Sequence, residues 1–339
     1  MNILITGGCG FLGARLARTL LARGSLSLRG AAAQPIARIT LADRVPPPAD
    51  LQDDARIAFV DGDLNDLLAR GQGPQPDTAL VFHLAAAVSG ECETDFDLGM
   101  RSNLDATRAL LEACRALASQ PVVVFSSSVA VFGNSPEQPL PPVIRDDTLP
   151  TPQNSYGIQK FIGEQLVADY TRKRYVHGRN VRLMTVSVRP GRPNAAASSF
   201  LSGILREPLA GVRARCPVPP DTAVALSSPA ATVEGLVRAA EAGDAAWGAR
   251  TAVNLPALTT TVRGMVEALE RVAGPAATAL IDWEPDEGIA AIVSNWPSRI
   301  DSARAAALGL RADVSFEDII RAYVDENRDA VKLSLQRSA

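Results

Sequence analysis

Short β-rich apolar runs alternate with helical stretches through the first half of the chain, a glycine-rich turn joins the first strand to the first helix, and the second half loses that regularity. These three observations predict an α/β protein: a doubly wound parallel sheet with helices on both faces, followed by a smaller C-terminal substrate-binding domain. The boundary is expected near residue 190, giving units 1–190 and 191–339, with 225–257 returning to the sheet.

The first strand is Asn2–Thr6, where Ile3-Leu4-Ile5 supplies a continuous apolar run, and Phe11–Arg23 is the first helix. Further strands are expected at 36–41, 56–60, 79–82, 122–126 and 182–188, all rich in β-branched or aromatic residues. Helices are expected at 95–118, 155–174, 231–241, 261–272, 301–307 and 316–327. Thr259 or Thr260 would cap the helix at 261, and Ser315 the one at 316. Pro46-Pro47-Pro48 and the proline-rich stretches 139–142 and 217–220 read as rigid surface turns. Residues 190–220 show no evident period and form the candidate substrate loop, folding over the carboxyl edge of the sheet, where ligands sit in open α/β folds.

Composition narrows the function. With 339 residues, 47% of them hydrophobic, the chain can bury a large core. A net charge of −3, from 34 basic and 37 acidic residues, leaves no electrostatic footprint for nucleic acid or an anionic membrane. No stretch reaches the ~18 apolar residues of a membrane span, and Met1-Asn2 runs into the first strand without a charged leader, so a cytoplasmic protein is expected. Cys9, Cys92, Cys114 and Cys216 are widely spaced and, with only His83 and His177, make no metal-ligand pattern. They are expected to be free thiols. Cys9 lies in the glycine loop at a helix start, where it is either a small space-filling residue or a favoured thiolate.

Thr6-Gly7-Gly8-Cys9-Gly10-Phe11-Leu12-Gly13 sits between strand and helix, the context of a dinucleotide fingerprint, and makes the sheet Rossmann-type. Gly7 allows the tight turn, Gly10 lets backbone approach a pyrophosphate, and Gly13 lets helix and strand pack closely. Asp43, at the end of a later strand, can accept from the adenosine ribose hydroxyls and repel a 2′-phosphate, which favours NAD. Arg44 beside it is the argument for NADP. The spacing from Gly13 to Asp43 exceeds the usual ~20 residues, so an insertion is expected around 25–34.

Ser155-Tyr156-Gly157-Ile158-Gln159-Lys160 carries the chemistry, with Ser126-Ser127-Ser128 ahead of it. Positions i and i+4 share a helix face, so Lys160 can lie beside the Tyr156 phenol and favour its ionised form. A unit charge about 4 Å away at an effective dielectric of ~20 contributes roughly 4 kcal/mol, or about three pKa units, which would make Tyr156 a general base near neutrality.

With these residues in hand, the chain resembles the extended short-chain dehydrogenase/reductases over nearly its whole length. A closer likeness, to bacterial NAD-dependent dehydrogenases that oxidise the C2 hydroxyl of D-erythronate, is carried by Phe96-Asp97-Leu98-Gly99-Met100-Arg101-Ser102-Asn103, Ser187-Val188-Arg189-Pro190-Gly191-Arg192-Pro193-Asn194 and Cys216-Pro217-Val218-Pro219-Pro220. The resemblance implies that Ser128 hydrogen-bonds the reacting oxygen, Tyr156 exchanges its proton and Lys160 holds the nicotinamide ribose. It also implies that Asp63 and Leu64 flank the adenine, Ala85 and Ala86 line the cofactor channel, Pro190 meets the carboxamide, and Asn103 stands near the site. The glycine-loop residues Gly7, Gly10, Phe11, Leu12 and Gly13 complete the cofactor set. Capping or core polar roles are the alternatives for Asp63 and Asn103, and plain packing for the alanines. A homodimer is implied, paired through 95–118 and 155–174.

Departures from the family pattern bear on the substrate. Ala225-Leu226-Ser227-Ser228-Pro229 stands where nucleotide-sugar members carry an Arg-Asp-Phe-like signature, and Val129-Ala130 replaces the acid pair of 4,6-dehydratases. Arg192 is either a bidentate partner for a substrate carboxylate or a surface arginine. The expectation is a small sugar acid held by Arg192, Asn194, Ser198 and Ser89, with its C2 hydroxyl between Ser128 and Tyr156, and no metal. A sugar epimerase using the same triad and a non-catalytic dinucleotide sensor remain the alternatives.

Overall fold

A computed structural model describes residues 1–191 and 197–333. Strands β1 (Asn2–Thr6), β2 (Arg38–Asp43), β3 (Ile57–Asp61), β4 (Thr78–His83), β5 (Val122–Ser128) and β6 (His177–Leu183) build most of the main sheet. The chain continues through β7 (Thr185–Val186), β8 (Ala223–Ser227), β9 (Val253–Asn254) and β10 (Leu258–Thr261). The main sheet has seven parallel strands in the order β9-β6-β5-β4-β1-β2-β3. Strand order reverses between β1 and β4, so the cleft beyond their carboxyl ends is the topological switch point of a Rossmann-type fold.

Period-2 alternation divides each strand between the two faces. Ile3, Ile5, Leu80, Phe82, Val122 and Val124 face one core, shared with α1 (Phe11–Arg23). Leu4, Val81, Val123 and Phe125 face the other, under α2 (Ala106–Arg115) and α3 (Ser155–Arg172). A separate core forms where α4 (Phe200–Leu209) meets α6 (Val262–Ala273) and α7 (Phe316–Glu326), with Leu201, Ile204, Leu205, Met265, Leu269 and Ile320 fully buried. Helix α5 (Pro229–Glu241) packs back on β5 and β6 and leads to β9. Strand β8, by contrast, lies between β10 and β7 in a separate three-stranded sheet.

The structure departs from the sequence reading in four places. The strand expected at 182–188 is two: β6 follows the main sheet to Leu183, and β7, from Thr185, pairs with β8 instead. The helix expected at 95–118 runs from Phe96 to Arg115 but contains a π-helical turn, Met100–Asp105, between Phe96–Gly99 and α2, and a separate short helix, Ser89–Thr94, precedes it. The loop expected at 190–220 contains α4, whose Leu201, Ile204, Leu205 and Leu209 recur on one face, with Pro208 in its last turn. Thr261, not Thr259 or Thr260, caps α6: it is the last residue of β10, and its Oγ1 accepts from Gly264 N at 3.0 Å. Ser315 caps α7 as expected, accepting from Asp318 N. The expected insertion is a hairpin, Ser25–Leu26 against Gln34–Pro35, tied to α5 through Arg29 N to Ala240 O and Gly30 N to Glu241 O. Among the described residues no helix is long and apolar enough to cross a membrane.

Candidate active site

Only glycine fits at three points of the loop after β1, among them Gly8, where a Cβ would lie 2.8 Å from the Ile5 carbonyl oxygen. Gly7 has φ +68°, and a Cβ there would lie 2.8 Å from the Ala85 nitrogen, while a Cβ at Gly13 would fall on the Gly7 carbonyl oxygen. A Cβ at Gly10 would meet only the Gly7 oxygen, at 3.4 Å, so its remaining side is open to the cavity it lines. Gly10 caps α1 without a side-chain acceptor, and no acid stands in the first turn. The leading N–H groups and the positive end of the helix are therefore available to an anion.

Asp43 ties this loop to β2. Its Oδ2 accepts from Cys9 N at 2.9 Å and its Oδ1 from Arg44 N at 2.7 Å. Burial, with the Asp43 charge behind it, pushes the Cys9 thiol up to about 12, so Cys9 fills space and is not a thiolate. Asp63 caps the short helix Leu64–Ala69, accepting from Asn65 N at 3.0 Å. Ala85 backs onto Gly7, and Ala86 lines the cavity. Asn103, buried in the π-helical turn, clamps the loop after β4: its Oδ1 accepts from Ala87 N at 2.8 Å and its Nδ2 donates to Ala87 O at 3.2 Å and Gln159 Oε1 at 2.8 Å. That commitment explains a π-turn here, a conformation that recurs at functional sites.

The cavity, about 640 Å³, runs from the glycine loop to Ser128, Tyr156 and Lys160, with Ser89 and Ser198 in its wall. Asp43, Asp63, Leu64, Ala85, Asn103 and the exposed Pro190 stand outside that lining. Arg192 and Asn194 lie outside the described residues.

Two contacts bring Tyr156 to Ser128. Ser128 ends β5 and caps the turn Val129–Val131 through Oγ, which accepts from Ala130 N at 3.1 Å. The first turn of α3 lies on that turn so closely that a Cβ on Gly157 would fall on the Ala130 carbonyl oxygen. Asn154 Oδ1 accepts from Gly157 N at 2.7 Å and Glu93 Oε1 from Ser155 N at 2.6 Å, which fixes the start of α3. One turn on, Lys160 is buried, donating from Nζ to Ser126 O at 2.8 Å, with Nζ 5.6 Å from the Tyr156 ring centroid.

The electrostatics correct one expectation. Burial pushes the Tyr156 phenol up to about 12, opposed by the Ser128 hydrogen bond and by the charge of Arg189, and burial lowers Lys160 to about 8. Lys160 does not bring the phenol to neutrality here, because its ammonium is turned to the Ser126 carbonyl and desolvation of the phenol dominates. The protein alone therefore presents Tyr156 as a proton donor.

Sequence reasoning passed over Arg189, which lines the cavity and acts on Tyr156. Its place just beyond a strand at the ligand edge of the sheet was the available signal. Ile292 and Trp296 close the far wall from the C-terminal third, and no local motif marks them.

The NAD dependent epimerase/dehydratase family matches residues 3–219, more than half of the chain. The chain belongs to that family. It is similar to the D-erythronate dehydrogenase of Cupriavidus necator, 55% identical over 328 residues that span 96% of this chain and 98% of the relative. The D-erythronate dehydrogenase of Haemophilus influenzae is 41% identical over 325 residues, 96% and 99% of the two chains. Among solved structures, a nucleoside-diphosphate-sugar epimerase from Agrobacterium tumefaciens superposes with a TM-score of 0.84 at 39% identity, covering 97% of this chain and 95% of that one. The L-threonine 3-dehydrogenase of Trypanosoma brucei, at 22% identity and a TM-score of 0.80 over 98% of each chain, shares the fold.

Membership in the epimerase/dehydratase family brings a nicotinamide dinucleotide. The residues present fit one: Gly10 leaves its open side to the cavity beside the start of α1, whose leading N–H groups have no side-chain cap, and the same cavity runs on to Tyr156 and Lys160.

Proposed function

We propose that this protein is an NAD-dependent dehydrogenase that oxidises the C2 hydroxyl of a four-carbon sugar acid, D-erythronate, to the 2-oxo acid. The observation that carries the reading is the single cavity holding Ser128, Tyr156 and Lys160 at one end and the glycine loop at the other. The two D-erythronate dehydrogenases that match almost the whole chain support the choice of substrate.

In this reading the C2 hydroxyl lies between Ser128 and Tyr156. Bound NAD⁺ would supply the acceptor for the hydride that leaves C2. Tyr156 takes the hydroxyl proton as the carbonyl forms, and Ser128 donates to the oxygen that gains negative charge. Lys160, held by the Ser126 carbonyl, keeps a positive charge near the phenol and lowers the energy of its ionised form once the positive nicotinamide is in place. The Asp43 carboxylate at the loop edge opposes a 2′-phosphate and selects NAD over NADP.

The test is NADH absorbance on mixing the purified protein with NAD⁺ and a panel of four- to six-carbon aldonic acids. Growth with D-erythronate above the others is expected. The 39%-identical epimerase structure supports a second reading, a sugar epimerase; tightly held NAD with no NADH released from any acid would favour it. The proposal extends to a cytoplasmic homodimer, for which activity should fractionate with the cytosol.

A further inference from the structure

We propose that the Arg189 guanidinium is the group that receives the substrate's carboxylate, with Ser198 beside it, and so makes the site selective for an acid. The inference rests on the dehydrogenase reading and names the recognition element for that substrate.

Three charged side chains stand in the cavity wall among the described residues: Glu93, Lys160 and Arg189. Glu93 is engaged by the Ser155 N–H and Lys160 by the Ser126 carbonyl, so neither is directed at an incoming acid. Arg189 differs from most arginines of this chain, which end on carboxylates. Its Nη2 donates to Ser198 Oγ at 2.9 Å, and no carboxylate pairs with it among the described residues. The neighbouring segment Arg192-Pro193-Asn194-Ala195-Ala196 contains no acidic residue to do so. The nearby Arg206 is already neutralised by Glu207, 2.5 Å away.

The backbone of Arg189 is pinned on both sides, its N–H donating to Ser202 Oγ at 3.0 Å and its carbonyl accepting from Arg206 Nη1 at 2.9 Å. The guanidinium is thus held in place, half-buried and without a counter-ion among the described residues, close enough to Tyr156 that each charge shifts the other's protonation. A planar fork that is desolvated and unpaired beside the reacting hydroxyl suits a carboxylate on the adjacent carbon, which can accept two parallel hydrogen bonds. In a 2-hydroxy acid the carboxylate carbon is bonded directly to C2, so both groups reach their partners at once.

The experiment compares D-erythronate with its primary amide, which keeps the C2 hydroxyl and loses the charge, in the wild type and in Arg189→Met. The wild type is expected to prefer the acid by about 100-fold or more in kcat/KM, the range in which loss of one partner of a buried charge pair falls. Arg189→Met should lose most of that preference: kcat/KM should fall far more for the acid than for the amide, chiefly through KM, while the amide loses only what the Arg189 charge contributes at Tyr156 and the NAD dissociation constant stays nearly unchanged. Guanidinium ion added to Arg189→Ala should restore part of the acid activity. Retention of the acid preference in the variant, equal loss for acid and amide, or loss of NAD binding would each overturn the proposal. A wild type inert toward both compounds would instead sink the dehydrogenase reading and this inference with it, and the wild-type arm alone separates that failure from the others.

Discussion

Burial keeps the proton on Tyr156 in the protein alone, and in the proposed reaction the phenol would accept a proton only with the positive nicotinamide bound. Tyr156→Phe should lower kcat by roughly 10²–10⁴-fold, the usual share of a general acid or base, while calorimetry finds NAD affinity nearly intact. Equal loss of both would mark the tyrosine as structural. His83 supplies a second test at this scale. It is buried between Thr6 Oγ1 at 2.7 Å and Thr107 Oγ1 at 2.9 Å, and burial, then the Lys160 charge, lowers it to about 3. Between there and its unfolded value near 6.5 the unfolded chain binds the proton and the folded chain does not, so stability rises with pH and is lost on acidification, by up to about 1.4 kcal/mol per unit. Urea midpoints from pH 7 to pH 4 should fall more steeply for the wild type than for His83→Gln. Parallel profiles would remove His83 from the acid response.

At the scale of elements, α3 is held by a buried ion pair to β6 and by the close approach of Gly157 to Ala130 in the turn after β5. Glu164 and Arg182 are buried and paired bidentately, Nε to Oε1 at 2.8 Å and Nη2 to Oε2 at 2.7 Å, and Ser127 Oγ donates to the same carboxylate at 2.5 Å. Glu164→Gln leaves the Arg182 charge unpaired and should cost about 3–5 kcal/mol in equilibrium unfolding; a change below about 1 kcal/mol, the scale of an exposed pair, would contradict the account. Gly157→Ala should push the start of α3 away from Ala130 and reduce turnover more than NAD binding, since Tyr156 moves and the glycine loop does not. The glycine loop and the Tyr156–Lys160 pair were legible in the sequence because each is a local pattern with fixed spacing. The π-helical turn inside the 95–118 helix was not, because Asn103 there is bonded to Ala87, a partner sixteen residues away that no local propensity records. The split of 182–188 is likewise decided by pairing with β8, some forty residues further on. Arg192 was legible as a departure from the family pattern, whereas burial and the lack of a carboxylate partner among the described residues, which single out Arg189, are visible only in three dimensions.

At the scale of the molecule, Phe96, Ile158 and Ile162 are 59%, 46% and 37% exposed, large apolar side chains on the short helix Phe96–Gly99 and on one face of α3. They suit the pairing surface of the proposed homodimer, too apolar to be left in water without cost. Sedimentation should show a dimer at micromolar concentration, and Ile158→Glu with Ile162→Glu should shift it to monomer; a monomeric wild type would end the proposal. The chain also changes sheets at a single residue, Met184, between β6 and β7. Everything assigned to proton and hydride movement stands on one side of that crossing, and Arg189, Ser198 and the wall formed by Ile292 and Trp296 stand on the other. The two cores share no residue, although the first also draws Val233, Leu236, Leu308 and Leu310 from beyond that crossing, so the surroundings of Arg189 can change without repacking the sheet that carries Ser128. Specificity in this architecture is a detachable trait, open to grafting from one member onto the reaction centre of another.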